Sequence, residues 1–158
     1  MKKKVTNIKI LEPKNQAHLF GYKNYFDTFA KLLSKNIMPP SILLTGQKGL
    51  GKSTFVYHFV NYLLSTNEKG RYNYKDFSID INNHSYKLLN TYTHPNFYLV
   101  EGDKLEKDIK IEQIRNLFLF LNKSTFNQDL KIVMIDNAER LNISSSNALL
   151  KAIEEPPK

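Results

Sequence analysis

Eight consecutive residues have the composition and spacing of a loop that binds phosphate groups. Two glycines five positions apart are followed by a lysine and a serine, in the run Gly46-Gln47-Lys48-Gly49-Leu50-Gly51-Lys52-Ser53. Glycines let the backbone turn so that successive N–H groups point at phosphate oxygens, and a following helix adds the positive end of its dipole. Lys52 is expected to reach the outer phosphates, and the Ser53 hydroxyl is expected to ligate magnesium. The run, with the adjoining Thr54, predicts a site for ATP and Mg²⁺, and the alternative is a purely structural glycine loop.

A carboxylate at the end of an apolar run is a second candidate magnesium ligand. Asp136 directly follows four apolar residues, Ile132-Val133-Met134-Ile135. Parallel α/β sheets gather ligands at the carboxyl ends of their strands, so we expect Asp136 to lie near the loop. Asn137 comes next. ATPases that have such a phosphate-binding loop and hydrolyse ATP usually have a glutamate at this position, which polarises the attacking water. Because an amide cannot act as that base, no catalytic residue is predicted.

Alternating strands and helices are expected to position these residues. Apolar residues at helical spacing predict helices over residues 22–35, 52–64, 111–121 and 144–155, and short apolar runs predict strands over residues 41–45, 97–100 and 132–135. This order predicts a three-layer α/β fold, in which a parallel sheet is flanked by helices. Residues 66–94 have weak periodicity and are rich in Asn, Tyr, Lys and Ser, so they are predicted to form a surface insertion.

The composition limits the class of protein. The net charge is +8, and residues 1–60 hold ten lysines against Glu12 and Asp27. This excess favours polyanions such as nucleotides or DNA, and the alternative is an ordinary solvated lysine-rich surface. The chain has no cysteine, which excludes disulfides and thiolate metal sites. No apolar run approaches the roughly 18 residues of a membrane span. We therefore expect a single cytoplasmic domain without membrane association.

Two runs near the end of the sequence are similar to a known family. They are Ile135-Asp136-Asn137-Ala138-Glu139-Arg140-Leu141-Asn142 and Ser146-Asn147-Ala148-Leu149-Leu150-Lys151-Ala152-Ile153-Glu154-Glu155-Pro156-Pro157. They resemble the clamp-loader subunits among the AAA+ ATPases, and in particular the delta-prime family of bacterial DNA polymerase III. Shorter matches at residues 18–21, 94–97 and 111–115 extend the resemblance over most of the chain, except for residues 1–15 and 66–92.

The resemblance implies a P-loop NTPase fold of the AAA+ type. Residues 1–15 would be an N-terminal tail and residues 16–158 an incomplete ATP-binding domain, with the lid and the C-terminal collar domain lying beyond residue 158. The resemblance also places Leu19, Phe20 and Gly21 beside the adenine, whereas the alternative is a hydrophobic plug under the first helix. Many members carry a four-cysteine zinc module in the region of the insertion, and a chain without cysteine cannot form it, so zinc is not expected.

The function implied by the resemblance is replication. Such a subunit works with other clamp-loader subunits to open the sliding clamp, which it contacts indirectly, and to place it on primed DNA. Asn137 favours a delta-prime-like subunit that holds ATP and Mg²⁺ without hydrolysing the nucleotide. The alternative is a hydrolytically active motor like the gamma or tau subunit. A small-molecule kinase would require an arginine-rich lid, and the chain has only Arg71, Arg115 and Arg140.

Overall fold

The computed structural model describes residues 11–102, 108–123 and 130–154. In chain order, its regular elements are α1 (Lys23–Ser34), α2 (Lys52–Leu64), α3 (His84–Asn90), β1 (Phe97–Glu101), α4 (Ile111–Asn122), β2 (Ile132–Asp136) and α5 (Ile143–Glu154). Short 3-10 turns occupy Pro13–Asn15 and Ala138–Arg140. Among these described helices, none has the length and apolar character that crossing a membrane requires. The four helices and the last two strands predicted from the sequence are confirmed, each within about two residues of the predicted boundaries.

The two strands form a parallel pair that carries the candidate site at one end. Phe97 lies opposite Ile132, and Glu101 lies opposite Asp136. The chain passes from β1 to β2 through α4, which packs against β1 and against α5. A parallel strand pair joined through a helix confirms the α/β class. Because the strands are parallel and in register, the carboxylates of Glu101 and Asp136 belong to the same edge of the sheet.

Helices cover both faces of this small sheet. Successive residues of a strand point to opposite faces. On one face, Phe97 and Met134 pack against Tyr57 and Val60 of α2. On the other face, Val100 packs with the buried residues of α4 and the partly buried residues of α5, which include Ile114, Leu117, Ala148 and Leu149. The described residues therefore form layers of helix, sheet and helix, and the α2 layer is the one that brings the loop to the sheet.

The run over residues 41–45 does not form the strand that its composition predicts. Leu43 is 76% exposed and Ile42 is 43% exposed, whereas Leu44 packs against the core. A strand is held by hydrogen bonds to a neighbouring strand. Within the described part of the chain, the sheet consists of β1 and β2 and neither pairs with this run. The prediction of a buried strand here is wrong for the described structure, because apolar composition does not by itself supply a pairing partner.

A cluster of aromatic side chains joins α1, α2 and residues 66–94. Phe26 of α1 lies at its centre and is fully buried. The ring of Tyr72 stacks on Phe26 at 5.2 Å between centroids. Five other rings meet Phe26 edge to face, those of Phe55, Phe59, Tyr62, Tyr74 and Phe77, and Phe29 meets Phe55 and Phe59. We call this set the aromatic cluster, with the members Phe26, Phe29, Phe55, Phe59, Tyr62, Tyr72, Tyr74 and Phe77. It fixes α1 on α2, and α1 carries one wall of the candidate site.

Residues 66–94 take part in the cores, although their composition predicts a surface insertion. Tyr72 and Ile79 are buried in the core around the aromatic cluster. Leu89, on α3, is buried in the core between α2 and the sheet. The segment is therefore packed against α1 and α2 rather than standing out from them.

The buried polar residues of this segment have hydrogen-bond partners within the segment or on α2. Asn83 and Asn61 of α2 form a reciprocal amide pair, in which each side-chain nitrogen donates to the other's oxygen at 3.3 Å. The Ser85 backbone N–H donates to the Glu68 carboxylate at 3.0 Å. A buried polar group that has its hydrogen-bond partner avoids the desolvation penalty. Composition alone cannot reveal these hydrogen bonds. A segment rich in Asn and Ser is therefore predicted from its sequence to be exposed to solvent.

His58 of α2 is a buried histidine that is held neutral. Its Nε2 lies 3.0 Å from the Gln16 carbonyl oxygen, and its Nδ1 lies 3.1 Å from the Tyr72 hydroxyl. A carbonyl only accepts, so Nε2 carries the proton and Nδ1 accepts from Tyr72. Burial lowers the pKa of His58 to about 4, although the bond to Gln16 acts in the opposite direction. The buried imidazole therefore links α2 to residue 16 and to the aromatic cluster, and burial keeps it in its neutral form.

This environment predicts a loss of stability in mild acid. The pKa of His58 is lower in the folded protein, about 4, than its ordinary value of 6.5, so the unfolded chain binds the proton more readily. The free energy of unfolding should fall as the pH drops below 6.5, by about 2 kcal/mol between pH 7 and pH 5 from this group. Urea unfolding at the two pH values measures the loss, and His84→Asn at an exposed histidine provides the control. An imidazole resonance of His58 that titrates near 6.5 in the folded protein would contradict the prediction.

Candidate functional site

The glycine-rich loop takes a conformation that depends on its glycines. Gly46, Gly49 and Gly51 have φ angles of 144°, 87° and 85°. Side chains with a Cβ rarely adopt such positive angles, and glycine does so without strain. Gly51 is the N-cap of α2, and Lys52 is the first residue of that helix. The loop therefore ends where the unpaired N–H groups and the positive dipole end of α2 are available to an anion.

Lys52 bridges the loop in this structure. Its ammonium donates to the Gly46 carbonyl oxygen at 2.8 Å and to the Gln47 carbonyl oxygen at 2.9 Å. An ammonium has three donors, and these two bonds use two of them. The positive charge thus lies across the loop, held by the loop's own backbone. Gln47 and Lys48 are exposed at the outside of the loop, and Thr54 is half-buried in the first turn of α2.

The fold brings the Ser53 hydroxyl and the Asp136 carboxylate together across 83 positions of sequence. The Ser53 Oγ donates to the two carboxylate oxygens of Asp136 at 3.0 and 3.1 Å. Ser53 comes from the first turn of α2, and Asp136 is the last residue of β2. Hydroxyl and carboxylate oxygens are the kind of ligand that Mg²⁺ prefers. Ser53 and Asp136 are therefore of the residue types that fit the predicted ion, and Glu101 lies opposite Asp136 in the strand register.

A groove of about 450 Å³ runs from the loop to the segment before α1. Its walls include Phe20 and Gly21 from that segment, together with Leu50 and Lys52 from the loop and helix. Phe20 is 81% exposed. Aromatic rings of α1 and its N-cap complete one wall, in Tyr22, Tyr25 and Phe29. The groove is lined mostly by apolar and aromatic side chains together with Lys52, a composition that small-molecule sites share.

Leu19 does not lie in this groove, although the resemblance placed it beside the adenine with Phe20 and Gly21. It is 8% exposed and packs in the core around the aromatic cluster. Its backbone N–H donates to the Phe77 carbonyl oxygen at 2.9 Å, which ties it to residues 66–94. In this structure the Leu19 side chain is therefore a core residue beneath α1, which removes its apolar surface from water.

Asn137 has a backbone conformation that suits its residue type. Its φ and ψ angles are 67° and 59°, in the left-handed region. Its carbonyl oxygen accepts from the Arg140 N–H at 2.8 Å and so begins the turn that follows β2. Asparagine tolerates this region better than other residues that carry a Cβ. The backbone conformation at the position after Asp136 is therefore adopted more readily by asparagine than by glutamate.

Sequence reasoning did not identify the groove residues Tyr22, Tyr25 and Leu44, nor Glu101 beside Asp136. Tyr22 and Tyr25 fall within residues 22–35, for which the sequence predicts a helix and no binding role. Glu101 follows an apolar strand just as Asp136 does, and this position was a signal for it. For Leu44 the sequence held no signal, because its run was predicted to be a buried strand.

Most of the chain matches a family described as "DNA polymerase III, delta subunit", over residues 21–158. The chain is similar to the protein named DNA polymerase III subunit delta' of Pseudomonas aeruginosa, with 31% identity over 114 residues, or 72% of this chain and 33% of that protein. The protein of that name from Escherichia coli is 26% identical over 117 residues, or 74% of this chain and 33% of its own length. The protein of the same name from Buchnera aphidicola subsp. Schizaphis graminum is 31% identical over 118 residues, which are 75% of this chain and 34% of that protein. The chain thus spans about a third of the length of these relatives.

Proposed function

The chain belongs to the DNA polymerase III delta-subunit family, and from this premise we propose that it is a delta-prime-like clamp-loader subunit that binds ATP with Mg²⁺. In this proposal it helps other loader subunits to place a sliding clamp on primed DNA in the cytoplasm. The observation that carries the nucleotide half is the contact between Ser53 and Asp136, 3.0 Å apart beside a glycine-rich loop at a helix N-terminus. The similarity to delta-prime subunits supports the role in replication.

The site offers a separate set of groups to each part of ATP. N–H groups of the loop and of the first turn of α2 would receive phosphate oxygens, with the Lys52 ammonium exchanging its loop carbonyls for them. Ser53 and Asp136 would hold Mg²⁺, which supplies neutralisation of the phosphate charge when it is bound. Phe20 and Tyr25, on the walls of the groove, would flank the base. The adenine is a flat aromatic ring, and such rings pack well against aromatic side chains.

Asn137 supports a subunit that holds ATP rather than one that turns it over. The residue after Asp136 would have to accept a proton from water to act as a general base, and an amide does not. The left-handed backbone at this position also disfavours a glutamate. A hydrolytically active motor like gamma or tau is the second candidate, and the groups at the loop favour it as much as they favour the first.

Titration with a fluorescent ATP analogue tests the nucleotide half of the proposal. We expect saturable binding that becomes tighter when Mg²⁺ is added, because the ion would join the phosphates to Ser53 and Asp136. The control is the same titration with Asp136→Asn, which should bind the analogue but lose most of the gain from Mg²⁺. Absence of saturable binding with and without Mg²⁺ would reject ATP as the ligand.

The two candidate functions differ in the expected ATP turnover. A holding subunit should release phosphate only at background rate when it is alone. In the assembled loader, Lys52→Ala introduced in this chain only should leave the total rate of ATP hydrolysis nearly unchanged. If that substitution removed a large part of the loader's hydrolysis, the motor function would replace the one proposed. Assembly is tested separately, by co-purification of the chain with the other clamp-loader subunits of its organism.

The backbone at position 137 predicts how substitutions there affect stability. Asn137→Glu is expected to lower the free energy of unfolding by about 1 kcal/mol, because a longer side chain is less well tolerated at a φ of 67°. Asn137→Gly is the matched control, since glycine adopts this region without strain, and it should keep the stability within about 0.5 kcal/mol. Urea unfolding measures both. Equal losses in the two variants would show that the Asn137 side chain, rather than its backbone, stabilises the turn.

A further inference from the structure

Tyr22 is bonded to the tip of the phosphate loop from outside it. The Tyr22 hydroxyl donates to the Leu50 carbonyl oxygen at 2.6 Å, across 28 positions of sequence. The Tyr22 ring also lies against Gly51, where an added Cβ would meet the Tyr22 Cε2 at 3.6 Å. These are contacts between the N-cap residue of α1 and the residue pair that joins the loop to α2. Neither the loop motif nor the helical pattern of α1 predicts them.

This hydrogen bond acts on the orientation of one peptide group. A trans peptide is planar, and its C=O and N–H point in opposite directions. Holding the Leu50 carbonyl toward Tyr22 therefore makes the Gly51 N–H of the same peptide point in the opposite direction, away from the Tyr22 hydroxyl. On the far side of Gly51, its own carbonyl accepts from the Phe55 N–H at 2.9 Å, at the start of α2. Gly51 is thus fixed from both sides, although a glycine between Leu50 and Lys52 would otherwise rotate freely.

Tyr22 is itself well placed to act as an anchor. Its carbonyl oxygen accepts from the Phe26 N–H at 2.9 Å, which starts α1. Its ring lies 5.3 Å from the ring of Phe55, a buried member of the aromatic cluster. The hydroxyl is therefore carried by a helix that the aromatic cluster holds on α2. A loop tethered to such a point loses less conformational freedom when it receives a ligand, so the tether favours binding through preorganisation.

From this geometry we infer that Tyr22 is a positioning residue for the phosphate loop, which orients the Gly51 N–H toward a bound polyphosphate. The inference rests on the proposed function, because it names a residue that serves the same ligand. Tyr22 acts here through the Leu50–Gly51 peptide and not by contact with the phosphates. Its effect should accordingly depend on the hydroxyl and not on the ring.

Tyr22→Phe isolates the hydroxyl because it keeps the ring that packs on Phe55. Removing one hydrogen bond that orders the loop should weaken binding of inorganic tripolyphosphate and of ATP by about three- to tenfold. Binding of adenosine, which has no phosphate, should not change. The matched control is Tyr98→Phe, which removes a hydroxyl on β1, and it should leave all three affinities unchanged. Isothermal titration with the three ligands measures the differences.

A second measurement follows the loop without any ligand. In Tyr22→Phe, the Gly51 amide should show faster hydrogen exchange or exchange broadening by NMR, while the amides of α1 stay as in the wild type. Unchanged Gly51 dynamics together with equal tripolyphosphate affinity would overturn the inference while leaving the proposed function intact. A loss confined to adenosine would also overturn it, since Tyr22 would then act at the base. If the wild type bound neither ATP nor tripolyphosphate, the proposed function would fail and this inference with it.

Discussion

Lys52→Ala is expected to weaken the binding of ATP by about a hundredfold, which corresponds to the loss of charge-assisted hydrogen bonds to a phosphate. The ammonium is the cation that the structure holds across the loop, through the carbonyl oxygens of Gly46 and Gln47. Those two carbonyls belong to exposed residues, so water replaces the lost bonds and the fold should not suffer. Titration with a fluorescent ATP analogue measures the loss, and thermal unfolding verifies that the variant is folded.

Lys48→Ala is the matched control for this prediction. Lys48 lies in the same loop and is exposed, but it precedes the helix and makes no described bond across the loop. Lys48→Ala removes one positive charge, as Lys52→Ala does. Because the Lys48 side chain is exposed, salt at physiological concentration screens the effect of this charge on ATP binding. We expect less than about a threefold change. Similar losses in the two variants would mean that the loop attracts ATP by its general positive charge and that Lys52 has no particular role.

Phe26→Ala is expected to lower the free energy of unfolding by about 3 to 5 kcal/mol, the usual cost of removing a buried phenylalanine. The side chain is fully buried, and its ring contacts six other aromatic rings, those of Phe55, Phe59, Tyr62, Tyr72, Tyr74 and Phe77. The cavity left behind would be lined by the remaining aromatic rings. These rings could fill it only by giving up the edge-to-face contacts that they make with one another. Chemical denaturation followed by circular dichroism measures the change.

The residue next to it provides the control. Tyr25 is also an aromatic residue of α1, but it is 64% exposed. Tyr25→Ala should change the free energy of unfolding by no more than about 0.5 kcal/mol, as most surface substitutions do. If the two variants were equally stable, the aromatic cluster would not be the core that joins α1 to α2. ATP binding separates this prediction from the first, because Phe26→Ala should impair it through unfolding, whereas Lys52→Ala should impair it in a folded protein.

Local pattern determined much of this protein from the sequence alone. The spacing of apolar residues was sufficient for α1, α2, α4 and α5, and continuous apolar runs were sufficient for β1 and β2. The loop between residues 46 and 53 was recognisable because its glycines, lysine and serine occur at fixed offsets. The family followed from short runs near the end of the chain, and it agrees with the match over residues 21–158. The roles of these residues toward ATP and Mg²⁺ stay predictions.

Tertiary structure alone decided the features that depend on a partner distant in sequence. Residues 41–45 are apolar enough for a strand but have no strand beside them in the described structure, and a strand exists only as part of a ladder. Asn61 and Asn83 are polar and yet buried, because each satisfies the other. The Tyr22 hydroxyl reaches the Leu50 carbonyl only after the aromatic cluster has packed α1 on α2. Periodicity and motifs record what a residue prefers locally, whereas pairing of backbone and polar groups is settled by which segments the folded chain brings together.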